Sequence, residues 1–425
     1  MRPLTPPLRE GLLISALVAI LATCSLTATS YPPGGYPPGS NTPAGMAVGV
    51  TVDSSNNVDI SGWTGTTSGI TTYGYPGYWQ NGALTLMTIG GQGSSFEVNW
   101  GAADTAGNFY VAGAVGSSST ISTPVYWENG AMTSLSTGAS YSYGVGNSVT
   151  VNGGSLYIVG AVGASSNNLV PCYWVGGTQY LLQFNAVTYS SGWAVSVAFD
   201  RAGNAYFAGA VASSNGNLTP AYWVVAPGPS NTAGTLATLK MTGTNTYGYA
   251  LNIGVYGTTS PQSVYISGIE GASSSATAPC YWSGSTSGGV ANAPTDLPLG
   301  VSNTTSDLNW GALDASGDFY LVGDVGSSSN SVPCYWEVTS GNPTPGPTYL
   351  PTGSGNPGGE ADGIAFDSSS NVYIAGSVGQ FLPCYWKSNV LNMLTTGNAE
   401  DLQLVKNIGG KPSKPWWRTS GRHRF

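Results

Sequence analysis

Four cysteines recur at one place in this chain: "VPCYW" at 170–174, "APCYW" at 278–282, "VPCYW" at 332–336 and "LPCYW" at 382–386. Thiols at a repeated spot can ligate a metal, pair as disulfides, or simply pack. Three further places read P-x-Y-W with Gly77, Val125 and Ala221 where the others carry Cys172, Cys280, Cys334 and Cys384. These four residue types share only small size, and valine ligates nothing, so packing is the expected role. Equivalent positions in neighbouring repeats should also lie beyond the ~7 Å Cα separation that a disulfide tolerates.

Other chemistry is sparse. The single histidine, His423, lies near the end of the chain, so the body has no Ser-His or Cys-His nucleophile and no histidine-based zinc site. Carboxylates remain. Glu97, Asp307, Glu360 and Asp362 lead into comparable segments, and two matching "NWGA" segments contribute Asn99, Trp100, Asn309 and Trp310. Trp193 occupies an equivalent approach. Two acids could serve a glycosidase, and acids among aromatics suit a sugar or peptide site. The plainer reading is loop capping and packing. Turns opened by Asp53, Asp104, Asp200, Asp314 and Asp367 hold too few acids for a calcium loop. They read as hairpin turns whose Asp accepts from backbone N–H groups; Asp314 with Asp318 is the best calcium candidate. No cofactor, metal or catalytic residue is assigned.

The elements that must position these residues follow from the repeat. Tyr-Trp occurs seven times, at 78, 126, 173, 222, 281, 335 and 385, always with Pro two places before the Tyr. The spacings are 48, 47, 49, 59, 54 and 50 residues. Each unit reads as a strand ending near Asp, a turn, a second strand such as "FYVAGAV", a loop, the P-x-Y-W strand, and a short closing strand. Four short strands per 40–50 residues is the pattern of a propeller blade. The fold class is therefore all-β, a seven-bladed β-propeller with four antiparallel strands per blade, over 44–397. Tyr and Trp should face opposite sides of the third strand, with Trp and the small residue sharing one side. Such a sheet has two apolar faces that only neighbouring blades can bury.

The pattern "AGNFYVAGAVG…TPVYWENGAMTSL" resembles the bacterial extracellular HAF-type and related β-propeller repeats, with P-x-Y-W in place of another aromatic before the Trp. The resemblance implies an extracytoplasmic propeller and carries no catalytic residues. Ser/Asn-rich connections such as 116–120 and 164–168 should crown one face. Longer inserts after Tyr-Trp in the fourth, fifth and sixth units belong to the opposite face, and insertions on one face often mark the binding side.

The ends differ from the body. Arg2 and Arg9 precede the apolar run "GLLISALVAILATC", too short to span a bilayer but suited to a signal peptide over 1–24. Its end, Leu21-Ala22-Thr23-Cys24, is similar to a lipobox, with Thr23 where Gly, Ala or Ser is usual. Lipidation at Cys24 is expected; plain secretion and an uncleaved anchor are the alternatives. A Pro/Gly-rich tether spans 25–43, and 398–425 reads as an extra strand followed by a basic disordered tail. Between Ala44 and Asp401 there are 3 basic and 18 acidic residues, a formal charge of −15, which excludes nucleic acid as a partner of the body. The expectation is a monomeric, non-enzymatic binding or surface-structural module of the bacterial cell envelope. Its partners would be an envelope protein, a peptide or a glycan, with a membrane reached through a lipid anchor. A glycan- or peptide-processing enzyme with an acidic axial site is the rival.

Overall fold

A computed structural model describes residues 42–396, apart from 69–70, 91–94, 119–120, 186, 229–232, 301–305, 327–330, 357 and 380. The expected signal peptide, Cys24, the tether up to residue 41 and the basic tail lie outside the described residues, and residues 42–43, read as tether, open the first strand instead. Within them there is no helix, and every repeat forms an antiparallel meander of four successive strands. Repeats two and three share one eight-stranded sheet, joined by the single parallel pair Ser122–Tyr143; the others form separate sheets. In the sixth, the Gly/Pro-rich insert splits the outermost strand into Asn342–Pro343 and Thr348–Tyr349.

The first strands of the repeats are Thr42–Val52, Ser95–Ala103, Tyr143–Asn152, Ser191–Phe199, Tyr247–Tyr256, Ser306–Leu313 and Gly359–Phe366. Each packs against the first strand of the next repeat, and Gly359–Phe366 packs against Thr42–Val52. The arrangement is that of a β-propeller with these strands innermost. The apolar clusters lie between successive repeats. Val48 and Val98 share one, Ala112 and Trp174 the next, and Val50 and Trp79 join Tyr373 and Leu394 where the two ends meet. No sheet among the described residues mixes strands from the two ends, so the ends meet by side-chain packing and hydrogen bonding.

The recurring motif is the mortar. All seven motif Trp side chains are fully buried. Trp223 packs with the third repeat, while its neighbour Tyr222 packs towards the fifth. The two rings thus face opposite ways, as the period-two strand requires. Each indole Nε1–H donates to a backbone carbonyl of the preceding repeat: Trp127 to Thr88 (2.6 Å), Trp174 to Ser136 (2.8 Å), Trp223 to Gln183 (2.7 Å), Trp282 to Lys240 (2.6 Å), Trp336 to Pro298 (2.8 Å) and Trp386 to Pro351 (2.7 Å). Trp79, in the first repeat, donates to Thr395 of the last at 2.8 Å. Within each repeat the motif Pro carbonyl accepts from the closing Leu or Met, as from Leu135 N to Pro124 O at 2.8 Å.

The small residue of P-x-Y-W has an equally local cause. In the second strand it faces a glycine every time: Gly62, Gly113, Gly160, Gly209, Gly268, Gly323 or Gly376. A Cβ there would lie about 2 Å from a carbonyl of the innermost strand, 2.0 Å from Glu97 O for Gly113 and 1.9 Å from Asp307 O for Gly323. That carbonyl is pressed inward because every innermost strand carries a β-bulge at this level. The four cysteines Cys172, Cys280, Cys334 and Cys384 are fully buried beside their Trp neighbours, and burial pushes all four thiols up. They fill the small site as Gly, Val and Ala do elsewhere.

Candidate functional site: the propeller axis

The bulge divides each innermost strand into three levels and sorts the candidate residues among them. Its extra residue is Val48, Asn99, Asn147, Val195, Leu251, Asn309 or Asp362 in successive repeats. Two positions earlier stand Met46, Glu97, Val145, Trp193, Tyr249, Asp307 and Glu360. One position later stand Gly49, Trp100, Ser148, Ser196, Asn252, Trp310 and Gly363. Candidates that looked like one axial cluster therefore occupy three rings.

The middle ring is a belt of clasps. Asn99 Nδ2 donates to Gly146 O (2.9 Å), Asn147 Nδ2 to Ala194 O (2.6 Å) and Asn309 Nδ2 to Ala361 O (2.9 Å). Each acceptor is the residue just before the bulge of the next repeat, whose carbonyl the bulge leaves free of the ladder. Asn99 also donates to Glu97 Oε1 at 3.1 Å. Asp362 holds the same level in the last repeat and is fully buried. Asn99 and Asn309 thus sit inside the inter-blade contacts.

The ring before the bulge holds the other acids. Glu97 is 6% exposed, and its charge, added to burial, pushes up the Tyr143 hydroxyl. Asp307 and Glu360, on adjacent repeats, are half-buried. Trp193 is 4% exposed and joins Tyr249 and Trp100 in one apolar cluster.

The ring after the bulge closes the axis. Trp100 and Trp310 stack on each other, centroids 3.9 Å apart and planes 17° from parallel. The short arc between them carries Gly49 and Gly363. A Cβ on Gly49 would lie 3.1 Å from Trp100 Cδ1, and one on Gly363 2.9 Å from Gly49 Cα. The absence of side chains on that arc makes room for the indoles. The long arc carries Ser148, Ser196 and Asn252. Between arc and indoles lies a cavity of about 250 Å³. It runs along the second halves of the innermost strands, and no ionisable side chain lines it. Exposure rises from buried Ser148 and Asn252 to half-buried Thr150, Ala312 and Leu313, so the cavity opens towards the Asp turns.

Those turns are built as the sequence implies. Asp104 Oδ1 accepts from Ala106 N (2.9 Å) and Asn108 N (2.8 Å), and Oδ2 from Asn108 Nδ2 (2.8 Å). The Asn108 side chain is the main cause holding the Asp104 carboxyl below its usual range. Asp318 stands where other repeats have Asn, and burial followed by the Asp314 charge raises it. No group of three metal-binding side chains occurs among the described residues. In a meander the hairpins after Tyr-Trp turn at the same face as these Asp turns, so the longer inserts share the cavity's face. Tyr281 Oη donates to Gly341 O of the next insert at 2.7 Å, and Tyr222 Oη accepts from Val290 N at 3.2 Å.

Sequence reasoning missed Ser148, Ser196 and Asn252. Their signal was the recurrent strand-two glycine, which marks the bulge and hence the residue that follows it in the innermost strand.

No family model matches the chain, and no curated relative matches it. Solved structures do. A thermostable family-43 glycoside hydrolase is 10% identical, with a TM-score of 0.37, covering 61% of this chain and 97% of that one. Drosophila Semaphorin 1a, extracellular domains 1–2, is 10% identical with a TM-score of 0.43, over 83% and 86%. YCF48 bound to D1 peptide is 11% identical with a TM-score of 0.36, over 72% and 84%. At these values none of them assigns an activity to this chain.

Proposed function

We propose that this chain is a seven-bladed β-propeller that works outside the cytoplasm as a monomeric, non-enzymatic binding module, with its site on the axis. The carrying observation is the separation of acids from cavity. The axial cavity has no ionisable lining, while Glu97 and Asp362 are buried on the far side of, or level with, the bulge. A glycosidase needs two carboxyl groups facing one substrate. The blade count rests on seven equivalent Trp clasps, the last joining Trp79 to Thr395. The repeat's resemblance to HAF-type units and the lipobox-like segment at Cys24 support an envelope location and a lipid anchor. Labelling with a radioactive fatty acid tests the anchor: a Cys24→Ala variant should lose the label, and an unlabelled wild type would remove the anchor from this reading.

The half-buried pair Asp307 and Glu360 favours a rival hydrolase. The triple variant Glu97→Gln, Asp307→Asn, Asp362→Asn separates the two readings. Screened against glycans and envelope peptides, it should bind as the wild type does. Wild-type hydrolysis of any of these substrates that disappears in the triple variant would establish the enzyme instead.

A further inference from the structure

The geometry points to a specific occupant of the axial cavity: a single neutral sugar ring, held between the Trp100–Trp310 pair and the polar arc of Ser148, Ser196 and Asn252. This inference rests on the binding-module reading and narrows it. Ser148 is 3% exposed, and its Oγ has no hydrogen-bond partner among the described residues. Asn252 is 8% exposed and lines the cavity, with its carboxamide engaged by no other residue of the described chain. Ser196 Oγ accepts from Ile253 N at 3.1 Å, which leaves its O–H to donate. Leaving the buried Ser148 Oγ without a partner costs about 1–3 kcal/mol. The lining therefore includes three hydroxyl residues, Ser148, Thr150 and Ser196, and one amide, Asn252, groups that both donate and accept as sugar hydroxyls do.

The rest of the lining narrows the class. With no ionisable side chain present, a charged ligand would be desolvated without a counter-charge. The stacked indoles of Trp100 and Trp310 form the aromatic part of the lining. A volume of about 250 Å³ suits one ring rather than an oligosaccharide, since drug-sized ligands occupy roughly 300–1,000 Å³. The longer inserts of repeats four to six frame the face on which this cavity opens.

Isothermal titration of the purified full chain tests the inference. The probes are neutral monosaccharides, neutral oligosaccharides ending in the same sugars, and the charged sugars glucuronate and glucosamine. At least one neutral sugar should bind, and the charged ones should not. Asn252→Ala and Ser148→Ala should each weaken binding about tenfold, and Ala102→Leu, at the mouth, should abolish it. Thermal melts of the variants should match the wild type to within a few degrees. Equal affinity for the oligosaccharides would identify the ligand as a chain end; their exclusion would identify a free sugar. Failure of every neutral sugar to bind the wild type would overturn the inference. So would binding that survives Asn252→Ala and Ala102→Leu unchanged, which would move the site elsewhere and leave the binding-module reading standing. Catalytic turnover that depends on Asp307 would instead overturn that broader reading.

Discussion

At the residue scale, the exceptions to the repeat carry the most information. Six repeats place Tyr at the second or third position of the second strand: Tyr110, Tyr157, Tyr206, Tyr265, Tyr320 and Tyr373. The first repeat has Asp59 there, fully buried, with Gln80 Nε2 donating to Oδ1 at 2.9 Å and Oδ2 unbonded. Burial raises this carboxyl to about 6 despite the Gln80 bond, and the Asp53 charge adds to the rise. An acid whose folded pKa exceeds its unfolded value binds its proton more tightly when folded. Its stabilising effect is therefore full at acid pH, falls as pH rises through about 6, and is constant above that. Asp59→Asn should flatten that slope and raise stability at neutral pH by on the order of 1 kcal/mol. Urea unfolding at pH 4, 6 and 7.5 measures it; an unchanged slope in the variant would rule Asp59 out as its source.

At the element scale, the bulge is the unit of design. It frees a carbonyl for the clasps of Asn99, Asn147 and Asn309, demands glycine on the adjacent strand, and aims the next residue at the axis. Gly160→Ala places a Cβ 1.9 Å from Val145 O, where only backbone movement can relieve the clash. The loss should be about 3 kcal/mol or more, larger than for an ordinary exposed strand glycine. Equilibrium denaturation decides, and a cost below about 1 kcal/mol would mean that the bulge adapts freely. The candidate acids and aromatics looked like one cluster because strand position alone does not reveal the bulge. Once it is placed, Glu97 and Asp307 fall before it, and Trp100 and Trp310 after it.

At the scale of the whole molecule, the first and last repeats meet with no connecting loop between them. Six Trp clasps join consecutive repeats, whereas Trp79 reaches Thr395 across 316 residues. Gly45 N to Phe381 O at 2.6 Å reinforces the same seam. Trp79→Phe and Trp223→Phe each strand a carbonyl acceptor and leave a small cavity, and should cost a similar amount, roughly 2–4 kcal/mol, in global stability. Hydrogen exchange should separate them. Opening of Thr42–Val52 and Gly359–Phe366 should accelerate in Trp79→Phe, because nothing covalent holds that seam. Equal exchange at the seam in both variants would show that the Trp79 hydrogen bond does not hold it closed.

The repeat, the strand order within it, the packing role of "PCYW" and the opposite facing of Tyr and Trp were legible in the sequence. They follow from local periodicity and from side-chain size, which recur in every unit and need no long-range information. The Trp100–Trp310 stack, the empty arc of Gly49 and Gly363, and the polar arc of Ser148, Ser196 and Asn252 became visible only in three dimensions. Each is a relation between strands about 50–310 residues apart around an axis. Only the bulge register and the meeting of first and last repeats fix which residues share it.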